Sequence, residues 1–501
     1  MPNGSEIVST PLFSCDEARS FEFELFGDDE AKEWAAMGGA GRGVARQIVR
    51  DIGEAGGFAQ RPRILVLVGK GHNAGDALIA SHELFRRLSG AVVDVFFVVG
   101  ERALRPLARR AWRDLQQAGG ACVSIVRDVE SLRSEYDLCI DGVFGFQFRP
   151  PLDIGVAAIL ARINCLEIKL RAAVDLPSGL GERNAFRADF TYATGVVKSP
   201  LLALENAGRI RHVDLGWTFP DSPVGNAGHV LSALTLRSLV RLRPVRSDKR
   251  TFGHLAVVGG SRSFPGAILM TVRAALRSGV GLLTAFVPES LVPSFAAAVP
   301  EAMWVGWPET AKGNLALEGS HLLRERLGRT TAAVIGPGMG REPETLAWLE
   351  TEMARMTVPI VLDADALIPE IVQAGTTPRI LTPHAGEFER IGGGADLPAF
   401  AKKHLATVVL KGHITRISDG GELFHSFFGG PVLARGGSGD MLAGLVAGLL
   451  AQAPQDLLSA AAKGVVWHGL AADALAQACG ATAVTSTELL DYLSVALRRS
   501  L

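Results

Sequence analysis

Short apolar runs alternate with stretches of helical periodicity along nearly the whole chain. In the first half these runs are rich in β-branched residues and bounded by Gly, Asp or Pro, which is typical of buried strands. They cover residues 64–68, 92–99, 138–140 and 172–174. Helical patterns lie between them, for example at 77–88 and 104–118. Strands and helices in alternation predict an α/β fold, with a parallel sheet covered by helices on both faces.

The second half repeats this alternation with different motifs. Strands are predicted at 255–258, 282–287, 332–335, 360–362, 380–381 and 407–410. Helices are predicted at 267–278, 344–356, 440–450 and 456–478. Residues 414–417 and 422–427, joined by 418–421, predict a hairpin on an otherwise parallel sheet.

A stretch rich in Pro and Gly separates the two halves, between residues 216 and 249. It contains a predicted helix at 234–242 and the residues Pro220, Pro223, Gly225, Gly228 and Pro244. Because the halves share a fold class but not their motifs, we predict two different three-layer α/β domains. They cover residues 1–230 and 249–501, with a linker at 231–248.

Composition and charge narrow the class of protein. The 501 residues are 48% hydrophobic, and 51 basic side chains are balanced by 52 acidic ones. The apolar fraction argues against wholesale disorder, and the net charge of -1 argues against binding to nucleic acid or to a membrane surface. The five cysteines lack a CxxC pair, which argues against a disulfide framework or a zinc site. No signal-peptide pattern or membrane-spanning run is present, so we expect a cytoplasmic protein.

A Gly-rich turn follows the first predicted strand, in the sequence VLVGKGHNAGDA at 66–77. Gly69, Gly71 and Ala74 fit the dinucleotide-binding pattern G-x-G-x-x-G/A between a strand and a helix. Such glycines let the backbone approach a phosphate at a helix N-terminus, although they could serve only to make a tight turn. Asn73 and Asp76 add polar groups at this strand end, and Asp76 could instead cap the helix.

Acidic side chains end two further predicted strands. Asp141 lies in LCIDGVF at 138–144, and Asp175 and Ser178 lie in AVDLPSG at 173–179. Because the carboxyl ends of parallel strands meet at one edge of a sheet, we expect these groups to converge with Asn73 on one crevice. They could hold an alkali cation or a ribose, although a single Asp of this kind is more often a turn former.

The segments GKGHNAGDA, DGVFG, VDLPSG and VVKSP (196–200) together resemble the N-terminal epimerase domain of the NAD(P)H-hydrate repair enzymes. The resemblance implies a Rossmann-like domain with Asp175 as its catalytic residue, at the reacting ring of a hydrated nicotinamide nucleotide. It implies substrate contacts by His72, Asn73, Asp76, Gly145 and Asp175. It implies a potassium ion held by Asn73, Asp141 and Ser178.

Several positions depart from that family's pattern. His72 stands in place of Asn, Ala74 in place of Gly, and Pro200 in place of the Gly after a lysine. MGGAG (37–41) replaces a segment resembling M-E-N-A-G, and Gly145–Phe146–Gln147 replaces G-T-G, which puts a large ring where a small hydroxyl should line the pocket. Two interpretations stay open, an active epimerase and a first domain kept only for packing or binding.

The strongest segment of the second half is LARGGSGDMLAGLVAGLL at 433–450, a Gly-rich loop that runs into a helix. The amides of Gly436, Gly437 and Gly439 can converge on an anion, and the helix dipole suits a phosphoryl group in transfer. Asp440 can accept a hydroxyl proton as general base, or it could be only a helix-start carboxylate. The same helix end should keep Asp440 ionised, and therefore weak as a base, which is acceptable if proton loss is concerted with phosphoryl transfer.

The G-x-G-D segment, without any Walker A motif, resembles the ribokinase-like superfamily. FGHLAVVGGS, ALRSGVGLL, VIGPGMG, VLDADAL, LTPHAGEF and VLKGHIT follow in the order of the ADP- or ATP-dependent NAD(P)H-hydrate dehydratase domain. The resemblance therefore implies a ribokinase-like second domain and covers most of residues 246–501. His413 and Ser438 are mild departures from its pattern.

The dehydratase resemblance implies a role for individual residues. The nucleotide would be bound by Lys411, Gly412, His413, Ile414, Thr415 and Gly439. The hydrated nicotinamide substrate would be contacted by Ala267, Gly338, Gly340, His384 and Asp440. Without the family, His384 could be a helix-start residue and Lys411 a solvated lysine. Asp363 and Asp365 look like a metal pair, but the resemblance implies a structural role for them, with Mg²⁺ carried in by the nucleotide.

Together the two resemblances imply a bifunctional repair enzyme for NADHX and NADPHX, the hydrates of NADH and NADPH. Hydroxide at C6 is a poor leaving group, so the dehydratase phosphorylates it at the expense of ADP, releasing AMP and phosphate. The dehydratase acts on the S epimer, and the epimerase converts the R form to it. We also expect a homo-oligomer.

Three alternatives stay open. The first is a dehydratase with a non-catalytic first domain, which the Gly145–Phe146–Gln147 departure favours. The second is a ribokinase-like small-molecule kinase, against which LTPHAGEF and the fusion of the two domains argue. The third is a Rossmann dehydrogenase, but the acid expected at the end of the next strand is missing, because Asp94 falls inside that strand.

Overall fold

The computed structural model describes residues 7–219 and 228–499, and these residues form two units. The described residues of Thr10–Ala227 and Ala476–Ala481 form the N-terminal unit. Those of Met1–Ser9, Gly228–Leu475 and Thr482–Leu501 form the C-terminal unit. Pro220, Pro223 and Gly225 of the predicted boundary lie outside the described residues.

The N-terminal unit has a seven-stranded sheet and, apart from that sheet, a parallel pair of short strands. Its strands are β1 Ser9–Phe13, β2 Arg63–Val68, β3 Val92–Phe97, β4 Val123–Val126, β5 Glu135–Gly142, β6 Glu167–Val174, β7 Phe190–Thr194, β8 Val197–Lys198 and β9 Arg209–Val213. Its helices are α1 Cys15–Phe26, α2 Glu30–Asp51, α3 His72–Arg87, α4 Pro106–Gly119 and α5 Ile154–Asn164. The sheet order is β4-β3-β2-β5-β6-β7-β9, with every pair parallel, and β1 pairs with β8.

Both faces of this sheet are buried, which explains the continuous apolar runs of its central strands. Along β2, Ile64 and Val66 pack in one core with residues of α2, α3 and α4. Leu65 and Leu67 point the other way, into a second core with residues of α5. The strand order reverses between β2 and β5, and ligands of such sheets bind at the carboxyl ends of the strands beside that reversal.

The C-terminal unit has a ten-stranded mixed sheet. Its strands are β10 His229–Leu231, β11 His254–Val258, β12 Leu282–Pro288, β13 Met303–Trp307, β14 Ala332–Ile335, β15 Ile360–Leu362, β16 Arg379–Leu381, β17 Ala406–Leu410, β18 Thr415–Ser418 and β19 Leu423–Ser426. Its helices are α6 Pro265–Arg277, α7 Val292–Ala298, α8 Ser320–Leu327, α9 Pro343–Met353, α10 Pro369–Gln373, α11 Ala385–Arg390, α12 Leu397–His404, α13 Ser438–Gln452, α14 Leu457–Cys479 and α15 Leu489–Arg499.

The strands of this unit run in the order β13-β12-β11-β14-β15-β16-β17-β18-β19-β10. Neighbouring strands pair in parallel except at β18, which is antiparallel to both β17 and β19. Helices α6 and α13 contact one face of the sheet, and residues of α8, α9, α10 and α12 share a core with the other face. The carboxyl ends of β11 and β14–β17 therefore form one edge, which the loop before α13 can reach.

The prediction of an α/β fold with mostly parallel sheets is confirmed, as is the predicted hairpin. The predicted helix at 234–242 is wrong, because residues Ala233–Leu239 form a 3₁₀ helix that ends earlier. This segment was predicted to be a linker and is part of the C-terminal unit. Strands β1, β4, β7, β8, β9, β10 and β13 were not predicted. In the described part of the chain, no helix combines the length and the apolar character needed to cross a bilayer.

Candidate active sites

In the N-terminal unit, the Gly-rich turn joins β2 to α3 at the reversal point of the sheet. A Cβ atom added at Gly69 would lie 2.0 Å from the carbonyl oxygen of Val143, so only glycine lets these two strand ends approach so closely. Gly71 is the N-cap residue of α3, and no side chain caps this helix. The first amides of α3 are therefore open to a ligand. Asp76 lies in the second turn of α3, so the alternative that it caps the helix is wrong.

A buried hydrogen-bond network joins the three predicted strand ends. Asp141 Oδ2 accepts a hydrogen bond from the amide of Ser178 at 2.7 Å, and Asp141 Oδ1 accepts one from the Ser178 hydroxyl at 2.6 Å. The Ser178 hydroxyl in turn accepts the amide of Phe144 at 2.8 Å, and Asn73 Nδ2 donates to the Phe144 carbonyl at 2.9 Å. Burial raises the pKa of Asp141 to about 6 although these hydrogen bonds lower it.

The same network leaves acceptors without a positive partner. Asn73 Oδ1 is buried and has no hydrogen-bond donor among the residues that the structure describes. Within the same residues, Asp141 is completely buried and no cationic side chain pairs with it. A buried carboxylate beside an unused amide oxygen is a donor set that suits a hard cation.

Asp175 forms a buried ion pair with a lysine. Its Oδ1 lies 2.5 Å from Lys198 Nζ, and Lys198 also donates to the Thr194 carbonyl at 3.1 Å. Asp175 Oδ2 accepts the amide of Phe146 at 3.1 Å. The backbone of Asp175 has φ of 66°, a conformation that non-glycine residues rarely adopt and that is often found at functional sites. Lys198 thus holds the carboxylate at a defined place in the crevice.

A cavity of about 480 Å³ opens next to this ion pair. Of the predicted substrate residues, its lining includes His72, Asn73, Asp76, Gly145 and Asp175. The substituted Phe146 also lines it, with its ring centroid 5.2 Å from Lys198 Nζ, and leaves the cavity open. Burial, with Asp175 and Glu22 nearby, raises the pKa of Asp76 well above its usual range.

Sequence reasoning missed two titratable groups of this crevice. Lys198 was noted only within the VVKSP motif, and its buried position follows from the pairing of β8 with β1, which no periodicity predicted. Glu22 on α1 lines the cavity, and no motif marks it. Its position can be known only once α1 is placed against the crevice.

In the C-terminal unit, the Gly-rich loop leads into α13 without a capping side chain. Gly437 is the N-cap residue, with φ of 91°, which suits glycine. The loop is held from two sides, since the Ser438 hydroxyl donates to the Leu433 carbonyl at 2.7 Å and the Ser486 hydroxyl donates to the Gly436 carbonyl at 2.8 Å. Its backbone amides stay available for an anion.

Lys411 lies against this loop, at the carboxyl end of β17. A Cβ atom added at Gly439 would be 3.2 Å from Lys411 Nζ. Lys411 Nζ is 3.1 Å from Asp363 Oδ1 and 3.8 Å from Glu387 Oε2, so the alternative of a solvated lysine is wrong. These carboxylates raise the pKa of Lys411 although burial lowers it.

The pKa of Asp440 is higher than the sequence predicts. Burial, followed by the charge of Asp363, raises its pKa to about 6, and Lys411 only partly opposes them. The expectation that the helix end keeps Asp440 strongly acidic is therefore wrong. Burial and the nearby carboxylates raise this pKa, which makes Asp440 a better base than its type implies.

The remaining predicted substrate residues lie on neighbouring loops. His384 is the N-cap residue of α11, where its Nδ1 accepts the amides of Gly386 and Glu387 at 3.1 and 3.2 Å. Gly338 lies against α6, since a Cβ added there would be 2.9 Å from Ala267 Cβ. Gly340 donates its amide to Asp365 Oδ2 at 3.0 Å.

The predicted nucleotide-binding segment follows Lys411 directly. The amide of Lys411 donates to the Pro383 carbonyl at 2.8 Å, which places the segment next to His384. Gly412 and His413 are exposed, Ile414 is half-buried, and Thr415 is the first residue of β18. Asp363 and Asp365 are each engaged elsewhere, with Lys411 and with Arg341 at 3.0 Å, and do not form a metal pair.

Comparison with known families gives two matches along the chain. Residues 35–199 match a family described as the N-terminus of YjeF-related proteins. Residues 255–494 match a family described as NAD(P)H-hydrate dehydratase. The first region contains most of the residues that line the N-terminal cavity, although Glu22, Phe26 and Glu33 precede it, and the second contains the C-terminal crevice.

Relatives with both regions match nearly the whole chain. The chain is 33% identical over 495 residues to the bifunctional NAD(P)H-hydrate repair enzyme Nnr of Moorella thermoacetica, a match that covers 92% of each protein. It is 36% identical over 472 residues to the enzyme of the same name from Thermosynechococcus vestitus, covering 88% of this chain and 90% of the relative.

Among solved structures, the chain is similar to an ADP/ATP-dependent NAD(P)H-hydrate dehydratase from Bacillus subtilis, with 27% identity and a TM-score of 0.47. That match covers 54% of this chain and 98% of the other. A ribokinase-like superfamily protein from Enterococcus faecalis matches with 30% identity and a TM-score of 0.48, over 54% of this chain and 95% of the other.

Proposed function

The chain belongs to the family of bifunctional NAD(P)H-hydrate repair enzymes, and from this premise we propose which residues carry out its two reactions. It repairs damaged cofactor by epimerising hydrated NAD(P)H and by dehydrating it. The dehydratase reaction belongs to the C-terminal crevice and the epimerase reaction to the N-terminal crevice. The division at residues 1–230, 231–248 and 249–501 stays a prediction.

In the dehydratase site, Asp440 is the general base for phosphorylation of the substrate hydroxyl. The observation that carries this assignment is its carboxylate, with a pKa raised to about 6, in the first turn of an uncapped helix beside Lys411. Such a carboxylate accepts a proton near neutral pH better than an ordinary Asp. The open amides of the loop stabilise the migrating phosphoryl group.

The donor is a nucleoside diphosphate or triphosphate, and we propose ADP. Lys411 is charged, and its Nζ lies next to the amide-lined loop, so it can bind the phosphates between them. Gly412, His413, Ile414, Thr415 and Gly439 complete the nucleotide site. Mg²⁺ would arrive with the nucleotide and neutralise phosphate charge, since Asp363 and Asp365 are already engaged.

The hydrated nicotinamide ring binds between Ala267, the segment from Gly338 to Gly340, and His384. These residues lie at the start of α6, after β14 and at the start of α11, at the same edge of the sheet as Asp440. Once phosphorylated, the C6 oxygen leaves as phosphate, C5 loses a proton, and the C5–C6 double bond of the dihydropyridine is restored. Loss of phosphate distinguishes this reaction from that of a small-molecule kinase, which keeps the phosphoryl group on its product.

In the epimerase site, Asp175 is the base at the reacting ring and Lys198 positions it. The cavity beside this ion pair remains open despite Phe146, which supports an active epimerase over a domain kept for packing. Asn73, Asp141 and Ser178 would hold K⁺, since the unused oxygen of Asn73 and the unpaired charge of Asp141 fit a cation. There K⁺ would supply charge compensation and hold the substrate loops in place.

One assay tests both assignments. Pure R and S hydrates are offered with ADP or ATP to the wild type, Asp440→Asn and Asp175→Asn, and the return of NADH absorbance and release of phosphate are followed. Asp440→Asn should abolish repair of both epimers, whereas Asp175→Asn should abolish only the accelerated repair of the R form. Unaccelerated conversion of R hydrate by wild type that repairs S hydrate would favour a dehydratase with a non-catalytic first domain.

The predicted homo-oligomer and cytoplasmic location stay predictions.

A further inference from the structure

Epimerisation at C6 needs two proton transfers, and Asp175 supplies only one of them. The C6 carbon carries both a hydroxyl and the ring nitrogen N1, so the substrate is a carbinolamine that can open reversibly to an aldehyde. Opening removes a proton from the hydroxyl and adds one to N1. Asp175, paired with Lys198, can be the base, but the acid must be a second, protonated group.

Several other titratable groups in or beside this cavity are already engaged. Lys198 is completely buried and bonded to Asp175 and the Thr194 carbonyl. Glu33 lies 3.6 Å from His72, and Asp153 accepts two amides at the start of α5. Asp76 also lines the cavity, but it is only 8% exposed, and its Oδ1 is buried without a hydrogen-bond partner. Glu33 and Asp153 are thus engaged, and Asp76 is deeply buried.

Glu22 is a more accessible carboxyl group of this lining than Asp76. It lies in the middle of α1, and Phe26 one turn later lines the same cavity, so this face of the helix looks onto the crevice. Glu22 is half-buried, and among residues 7–219 and 228–499 it has no hydrogen-bond or ion-pair partner. A partly buried carboxyl without a partner is unusual and is held more readily in its neutral form.

Burial and the neighbouring carboxylates also favour the neutral form of Glu22. Burial, with Asp175 and Glu33 nearby, raises the pKa of Glu22 to about 7, against the opposing charge of Lys198. Asp76 on α3 also interacts with Glu22. The other titratable and charged groups near the ion pair or in the cavity lining include Cys15, Asp16, Arg149, Lys70, His72, Arg105 and Asp153. A carboxyl that titrates near neutral pH can donate and recover a proton in each cycle.

We propose that Glu22 is the second acid–base residue of the epimerase, opposite Asp175. The inference rests on the epimerase function proposed above. In the opening step, Asp175 takes the hydroxyl proton, the C6–N1 bond breaks with its electron pair going to N1, and Glu22 donates a proton to N1. After rotation of the aldehyde, N1 attacks the other face of C6. Its proton returns to Glu22, the oxygen recovers its proton from Asp175, and no co-reactant is consumed.

The test compares Glu22→Gln with Glu24→Gln, an exposed position two residues away on the same helix. The full chain is given R hydrate and ADP, and the initial rate above spontaneous epimerisation is measured between pH 5 and 9. Glu22→Gln should lower kcat for epimerisation by about 10²–10⁴-fold, the usual contribution of a general acid. In the wild type, kcat should fall as the pH rises through about 7, where Glu22 loses its proton. Glu22→Asp should recover part of the rate.

Two further measurements on the same variants distinguish between the possible negative results. Repair of S hydrate should be the same in Glu22→Gln as in wild type, and the melting temperature of this variant should be no lower, which shows that the protein is folded. A normal epimerisation rate and pH profile in Glu22→Gln, with Asp175→Asn inactive, would overturn the role of Glu22 alone. A wild type that does not accelerate epimerisation would overturn the epimerase assignment and this inference with it.

Discussion

Replacing Asp440 by Asn should stabilise the C-terminal unit while stopping dehydration. In the folded protein the Asp440 carboxylate is partly buried near Asp363, and its pKa is raised from 3.8 to about 6. At 1.36 kcal/mol for each pKa unit, this difference makes the folded anion less favourable by at most about 3 kcal/mol. An uncharged Asn of the same shape does not carry this cost.

The predicted gain in stability of Asp440→Asn depends on pH. A carboxyl with a raised pKa in the folded state reduces stability as the pH rises from 3.8 to about 6, and the loss is complete above that range. The two proteins should therefore unfold alike near pH 3.5, and Asp440→Asn should be more stable at pH 8. At roughly 2–4 °C per kcal/mol for a domain of this size, the melting temperature should rise by up to about 6–12 °C.

The assay is thermal unfolding at several pH values, following the transition that ADP raises in the wild type. Asp491→Asn is the matched control, since its side chain is 74% exposed and its surface ion pair contributes little. The kcat for S hydrate should fall by about 10²–10⁴-fold in Asp440→Asn and stay normal in the control. Equal or lower stability of Asp440→Asn at pH 8 would refute the electrostatic argument, and a normal kcat would refute its role as base.

Three further predictions concern the other parts of the two sites. Lys411→Met should raise the Kd for ADP by about 10–150-fold, because a charge-assisted hydrogen bond contributes roughly 1.5–3 kcal/mol, while the exposed control Lys403→Met should bind normally in calorimetry. Lys198→Met leaves Asp175 buried without its cation, so urea denaturation should show a loss of about 3–5 kcal/mol in the N-terminal unit, with repair of S hydrate retained. Gly69→Ala puts a Cβ atom 2.0 Å from a carbonyl oxygen and should destabilise this unit by about 1–3 kcal/mol or more. Gly71→Ala, where nothing lies within 4 Å, should cost less, and equal losses would contradict the packing argument.

The positions of strand ends could be predicted from sequence because parallel topology brings them to one edge. Asn73, Asp141 and Ser178 were expected to converge, and they share one hydrogen-bond network. The hairpin of β18 and β19 was equally visible, since its turn residues separate two short apolar runs. Local pattern and topology were sufficient for these features.

Features that depend on partners distant in sequence could not be predicted. Strand β13 has the sequence MWVGW, whose bulky and glycine positions show no clear alternation, and it is defined by its pairing with β12. The pKa of Asp440 was predicted with the wrong sign because it is raised by burial and by the charge of Asp363, which lies 77 positions earlier in the chain. The role of Lys198 depends likewise on Asp175, to which only the folded chain brings it.

The hydrogen bonds at the start of α11 determine which ring nitrogen of His384 can donate to a substrate in the proposed nicotinamide site. Both amides at the helix start donate to Nδ1, so this nitrogen must carry a lone pair and the proton of the neutral ring resides on Nε2. The imidazole is therefore locked in one tautomer before any substrate arrives. It can present a donor but not an acceptor, and a substrate oxygen, such as that of the carboxamide, is the group that it can recognise.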